Sequence, residues 1–184
     1  MLNLRSGRGA ELGAALDRCP PGIAGWRDFE RTALEALRYL FVPPLNEPYV
    51  QVRSLSGIDR RDAIFPNRVM DPNQPWGLLR QDLGARLIPV EFKNYSRKGI
   101  GKQEVDQTRN YLKQSMGRLA IICSNTPPTN SAYRRRNGIF AEEKKVILFI
   151  SASQLRKLLD LKDRGADPGT HVVDSVEKFL IEHD

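Results

Sequence analysis

The chain is poor in the residues that build metal knuckles and disulfide frameworks. Of its 184 residues, two are cysteine and two are histidine. Cys19 and Cys123 show no knuckle spacing, and His171 and His183 have no partners at ligand spacing, so neither pair points to a structural metal. Long apolar runs are also missing. No stretch approaches the roughly 18 consecutive apolar residues of a membrane span. The N-terminus carries Arg5 and Arg8 without an apolar segment, which argues against a secretory leader. These absences give three expectations: reduced thiols, no membrane contact and a cytoplasmic location. Internal repeats and low-complexity segments are absent as well.

What is present suffices for one domain with a real core, since 40% of the residues are hydrophobic. The formal charge of +7 and a pI near 9.6 favour a polyanionic partner such as nucleic acid.

The pattern of apolar residues and breakers predicts the elements. Residues 9–18 suit a short helix, ended by Cys19-Pro20-Pro21-Gly22. An amphipathic helix over 25–41 stops at Pro43-Pro44. Strands are expected at 48–55 and 60–66, joined near Ser56-Gly57-Ile58-Asp59. A short helix follows at 75–83, with Pro75 in its first turn and Gly84 after its end. Next come a strand at 86–93, where Pro89 is awkward, and a long helix at 101–116 closed by Gly117. Buried strands at 118–124 and 146–151 flank a loop at 125–131 and a charged helix at 132–144. Cys123 belongs to the first of these strands and reads as a core residue. Two helices, 153–164 and 171–182, finish the chain around Gly165–Gly169. The order implies an α/β domain, one mixed central sheet flanked by helices.

The most informative segment is Ile88-Pro-Val-Glu-Phe-Lys-Asn-Tyr95. Side chains alternate along a strand, so Glu91 and Lys93 share one face and Val90 and Phe92 the other. Two ionisable groups at the end of an apolar strand carry a desolvation cost unless something pairs with them. A divalent metal on Glu91 and a water or phosphate near Lys93 would supply that partner. Asp62 leads into Ala63-Ile64-Phe65 and is the preferred second acid. Asp59 falls nearer the turn, where aspartate serves local hydrogen bonds. On the helix over 25–41, phased from Trp26, Phe29, Ala33, Leu37 and Leu40 form an apolar stripe. Glu30 lies at its edge and Glu35 opposite. Glu30 therefore either approaches the sheet or forms a border salt bridge with an arginine. On the helix after Lys93, Gln103, Gln107 and Tyr111 recur every four residues on one side, beside a buried face marked by Val105, Leu112 and Met116.

Taken in order, Trp26–Glu30, Arg60–Asn67, Pro89–Tyr95 and Gln107–Tyr111 resemble the PD-(D/E)XK nuclease superfamily over roughly residues 25–124. The resemblance implies a restriction-endonuclease-like αβββαβ core within about 25–151 of a single domain, with extra C-terminal helices over 152–184. It implies Asp62 and Glu91 as metal-binding acids, Lys93 as catalytic lysine, Glu30 as the acid of the first core helix and a further metal residue that contacts the same ion through water or helps to bind a second one, and Gln107 as a polar site residue. The proline of the family name has no counterpart, since Arg61 precedes Asp62. The expected cofactor is Mg²⁺ (or Mn²⁺), which hard carboxylate oxygens suit. The implied activity is phosphodiester hydrolysis, with DNA as first substrate and bacterial defence or restriction as a setting by analogy. A homodimer or a larger defence-system partner would fit that setting. RNA or branched DNA, or an inactive nucleic-acid-binding module, are the alternatives. Arg97, Lys98 and Lys102, and the run Arg134-Arg135-Arg136, are candidate phosphate contacts; the run can equally be a solvated helix face balanced by Glu142 and Glu143.

Overall fold

In the computed structural model, residues 7–53 and 60–183 are described. The expected turn at Ser56–Asp59, with Asp59 itself, lies outside them, as does Arg5. The elements run α1 (Arg8–Asp17), α2 (Trp26–Phe41), β1 (Tyr49–Arg53), β2 (Arg60–Pro66), α3 (Pro75–Leu83), β3 (Leu87–Lys93) and α4 (Lys102–Tyr111). After them come β4 (Leu119–Ser124), α5 (Asn130–Glu143), β5 (Val146–Ser151), α6 (Ala152–Asp163) and α7 (Pro168–Ile181). The five strands form one mixed sheet in the order β1-β2-β3-β4-β5. The first three pair antiparallel, and β3, β4 and β5 pair parallel.

Two apolar layers enclose this sheet. On one face Ala63, Phe65, Ile88, Val90 and Phe92 join the buried faces of α1, α2 and α3. Leu155 and Leu159 of α6 and Val172, Val176 and Phe179 of α7 belong to the same cluster, so the C-terminal helices are part of the main core. On the other face Ala120, Ile122 and Ile147 meet Val105 of α4 and Ala132 and Ile139 of α5.

Local chemistry explains most element ends. Pro75 opens α3, and Gly84 closes it at φ 59, a left-handed conformation that favours glycine. Pro89 lies inside β3, but the parallel ladder to β4 starts only at Val90, so the missing N–H precedes it. The helix expected over 101–116 ends at Tyr111. Leu112 leaves the helical region with ψ 74, and Leu112 and Met116 are buried from the turns that follow. Trp26 also departs from expectation. It is 39% exposed, and the buried stripe of α2 begins at Phe29.

The first and sixth helices are tied together. Asp163, closing α6, accepts from the Gly9 and Ala10 amides of α1 at 2.9 and 3.0 Å and from the Tyr39 hydroxyl of α2 at 2.7 Å. Those bonds hold its carboxyl below the usual range against a burial effect in the other direction. A Cβ at Gly9 would stand 2.5 Å from the Leu159 carbonyl oxygen, so the crossing of α1 over α6 needs glycine there.

Candidate functional site

The β2–β3 register pairs Ala63 with Val90 and, one step on, brings Asp62 opposite Glu91. Ala63, Val90 and Phe92 point into the α2-side core, so strand alternation turns Asp62 and Glu91 to the face that α4 covers. Asp62 also does backbone work, because its Oδ2 accepts the Phe92 N–H at 2.9 Å. Glu91 is 3% exposed. Its Oε1 accepts from Lys93 Nζ at 2.5 Å, and its Oε2 is buried with no hydrogen-bond partner among the described residues. Burial first, then the facing Asp62 charge, push the Glu91 carboxyl up to about 7, although Lys93 pulls it down.

From α4, Gln107 Oε1 lies 3.4 Å from Lys93 Nζ, and Gln107 Nε2 donates to the Tyr111 hydroxyl at 2.7 Å. Burial and the Glu91 charge raise the Tyr111 phenol above its ordinary value. The four-residue spacing thus delivers a glutamine and a tyrosine to the end of β3.

The structure therefore gathers Asp62, Glu91, Lys93 and Gln107. It does not gather Glu30. That residue lies on α2, which packs on the opposite sheet face from the two carboxylates, and Gln51 Nε2 meets its Oε1 at 3.5 Å. Among the described residues no three His, Cys, Asp or Glu side chains come close enough to hold a metal, which places Glu30 outside the acid pair. Glu35 pairs with Arg38 at 2.8 Å on the helix surface.

The basic candidates separate in the same way. Arg135 pairs with Asp106 of α4 at 2.5 Å. The Arg136 guanidinium lies over the rings of Tyr133, Phe149 and Phe179 at 5.1, 5.3 and 4.5 Å. Burial lowers its pKa, as removal from water does to a cation. The arginine run is therefore neither a triple phosphate patch nor a wholly solvated face; Arg134 alone of the three is exposed. Arg97, Lys98 and Lys102 are exposed on the loop and helix start after β3. Lys98 reaches Glu104 at 3.3 Å.

Three residues with no role assigned from the sequence brace the site. Asn125 Oδ1 accepts the Tyr95 N–H at 2.7 Å, and its Nδ2 donates to the Tyr95 carbonyl at 2.8 Å. Asn94 Nδ2 donates to the carbonyls of Pro20 and Gly22 at 2.8 and 3.0 Å. Glu104 accepts from the Tyr95 hydroxyl at 2.6 Å and the Gly101 N–H at 2.8 Å. Burial works against its charge, yet those bonds hold its carboxyl down at about 2. The signal available for the asparagines was position only, since both sit just past a strand end.

A buried carboxylate facing the half-buried Asp62, whose charge raises its proton affinity, with one oxygen lacking a hydrogen-bond partner among the described residues, fits a divalent cation. Asp62 and Glu91 would be its protein ligands, and a coordination shell of this kind completes itself with water and substrate oxygens.

No family model matches the chain, and no solved structure matches it. Over 107 residues it is 29% identical to an 80.3 kDa protein of Escherichia coli (strain K12) ascribed to transposon gamma-delta. That alignment covers 58% of this chain and 15% of the other protein, so the chain spans a small part of its relative's length. Among the described residues no helix is long and apolar enough to cross a membrane.

Proposed function

We propose that the chain is a metal-dependent nuclease with a PD-(D/E)XK core, hydrolysing phosphodiester bonds of DNA. The reading rests on one observation above all: Asp62, Glu91, Lys93 and Gln107 converge at the end of β3, with a buried carboxylate oxygen left without a partner. The succession α2-β1-β2-β3-α4-β4, interrupted by α3, supports it, as it follows the αβββαβ order of that superfamily. Likeness to a transposon-ascribed protein agrees with a role in DNA handling.

In this reading Asp62 and Glu91 hold Mg²⁺ or Mn²⁺. When bound, the ion supplies Lewis-acid charge and a water of lowered pKa. Lys93, kept in place by Glu91 and Gln107, offers its ammonium to a phosphate oxygen or the attacking water as charge develops. Gln107, anchored on Tyr111, limits the positions Lys93 can take. Glu91 at about 7 is partly protonated at neutral pH, so cation binding there is coupled to release of that proton.

A module that binds nucleic acid without turnover is the second reading, favoured by the position of Glu30 outside the acid pair. Incubation with plasmid, single-stranded DNA and RNA, in Mg²⁺ or EDTA, separates the two. Cutting that requires Mg²⁺ and vanishes in Asp62→Asn supports the nuclease. Binding without cutting by the wild type supports the module.

A further inference from the structure

Beside the end of β3 lies a cleft of about 360 Å³ lined by Gly22, Ile23, Trp26, Asn94, Tyr95, Ser96, Arg97 and Lys98. Its rim is unusual for a surface. Ile23 is 91% exposed and Trp26 is 39% exposed, two large apolar side chains three positions apart on one turn. Scattered single apolar residues are ordinary on protein surfaces, whereas neighbouring ones against a basic loop are not.

The turn that displays them is fixed. Asn94, the residue after Lys93, binds the carbonyls of Pro20 and Gly22 with its amide. Gly22 sits at φ 78, a left-handed conformation, and a Cβ there would stand 3.1 Å from the Ser96 Cβ. At Gly25 a Cβ would collide with the Pro20 carbonyl oxygen. The apolar pair is therefore set at a defined place relative to Lys93 instead of on a free loop.

Cations surround it. Arg27 Cζ lies 5.3 Å from the Trp26 ring centroid, Lys98 Nζ lies 4.4 Å from that of Tyr95, and Arg97 is exposed between Ser96 and Lys98. Asn94 Oδ1, in the wall behind the cleft, is buried with no donor among the described residues. Exposed aromatic and apolar faces among cations, adjoining a phosphodiester site, match an unpaired nucleotide: the base stacks and the phosphates meet the basic side chains.

We propose that this cleft binds an unpaired nucleobase with its flanking phosphates, so that the protein engages single-stranded or locally opened nucleic acid. The proposal deepens the nuclease reading, on which it rests for the placement of the strand beside Lys93. Its binding step can be measured without cleavage.

Trp26 is also the reporter. The other tryptophan, Trp76, is 1% exposed, so a ligand in the cleft changes Trp26 emission selectively. In EDTA at fixed salt the protein is titrated into a short dye-labelled oligothymidylate and into the same strand paired to oligoadenylate; anisotropy of the dye gives the affinity of every variant, and Trp26 emission is followed in the wild type. Expected are quenching by the single strand, tighter binding of it than of the duplex, and a roughly 5- to 140-fold loss of affinity in Trp26→Ala. Trp26→Phe, which keeps a stacking face, should retain most of the affinity and controls for a folding defect. Unchanged single-strand affinity in Trp26→Ala, or duplex binding as tight as single-strand binding, overturns the proposal. If it fails so while wild type still cuts with Mg²⁺ and Lys93→Ala does not, the cleft reading alone is lost. If quenching occurs as expected but nothing is cut, the nuclease reading alone is lost.

Discussion

Replacing Glu91 by glutamine should stabilise the metal-free protein at alkaline pH while abolishing its activity. The carboxyl of Glu91 goes from an ordinary 4.5 to about 7 in the fold. A raised carboxylate pKa means that the fold prefers the neutral form. The stability this preference contributes is full below about pH 4.5 and is lost as pH rises through about 7. At about 1.4 kcal/mol per pH unit, the loss reaches roughly 3 kcal/mol above pH 7. Attraction to Lys93 is already contained in that shift. Glutamine has nearly the same shape and no charge to lose. In EDTA the variant and wild type should therefore melt together near pH 4.5 and diverge above it. For a chain of this size, roughly 3 kcal/mol corresponds to about 6–12 °C in Tm in favour of the variant. Added Mg²⁺ should raise the wild-type Tm by mass action and leave the variant where it was. Thermal melts at pH 5 and pH 8.5, with EDTA and with Mg²⁺, measure all of this. A variant less stable than wild type at pH 8.5 in EDTA, or a gap that does not change with pH, would refute the argument that burial and the facing Asp62 charge penalise Glu91.

Four further outcomes are expected. Lys93→Ala should lose most turnover in a cleavage assay yet keep the Mg²⁺-induced rise in Tm, because an ammonium is no metal ligand; Asp62→Asn should lose both. Glu30→Gln should keep the Mg²⁺-induced rise, as α2 packs on the sheet face opposite the carboxylates and Glu30 meets Gln51; loss of it would put Glu30 back among the ligands. Arg136→Ala should cost roughly 1–3 kcal/mol in chemical denaturation, by loss of its contacts with three aromatic rings. Arg134→Ala should leave stability unchanged and lower the slope of log affinity for DNA against log salt by about 1; an unchanged slope would remove Arg134 from the contact surface.

The sequence was most readable where periodicity and breakers agreed. The long amphipathic stripe of α2 before Pro43-Pro44, and the alternation that turns Glu91 and Lys93 away from Val90 and Phe92, appear in the structure as expected. Asp62 could be preferred over Asp59 because it leads into an apolar strand. The end of α4 was hidden, since Leu112 and Met116 keep helical spacing and are buried although the backbone has left the helix. The fate of the arginine run was hidden for another reason. Three consecutive cations look solvated, and nothing local shows that Phe149 and Phe179 will fold against Arg136. Glu30 shows the limit of helical phase: an angle around the helix axis locates the stripe edge but not which sheet face the helix covers.

The carboxylate of Asp163 changes what the first residues of α1 can reveal. Helix starts normally fray, and their amides exchange with solvent faster than any others in the element. Here the Gly9 and Ala10 amides are closed by a side chain more than 150 positions away, which also holds Tyr39. Their exchange rates therefore time the undocking of α6, so two amides at the beginning of the chain become a clock for an event near its end. Because the bonded carboxyl is held below its usual range, that clock should run faster as acid is added, beyond the ordinary pH dependence of exchange.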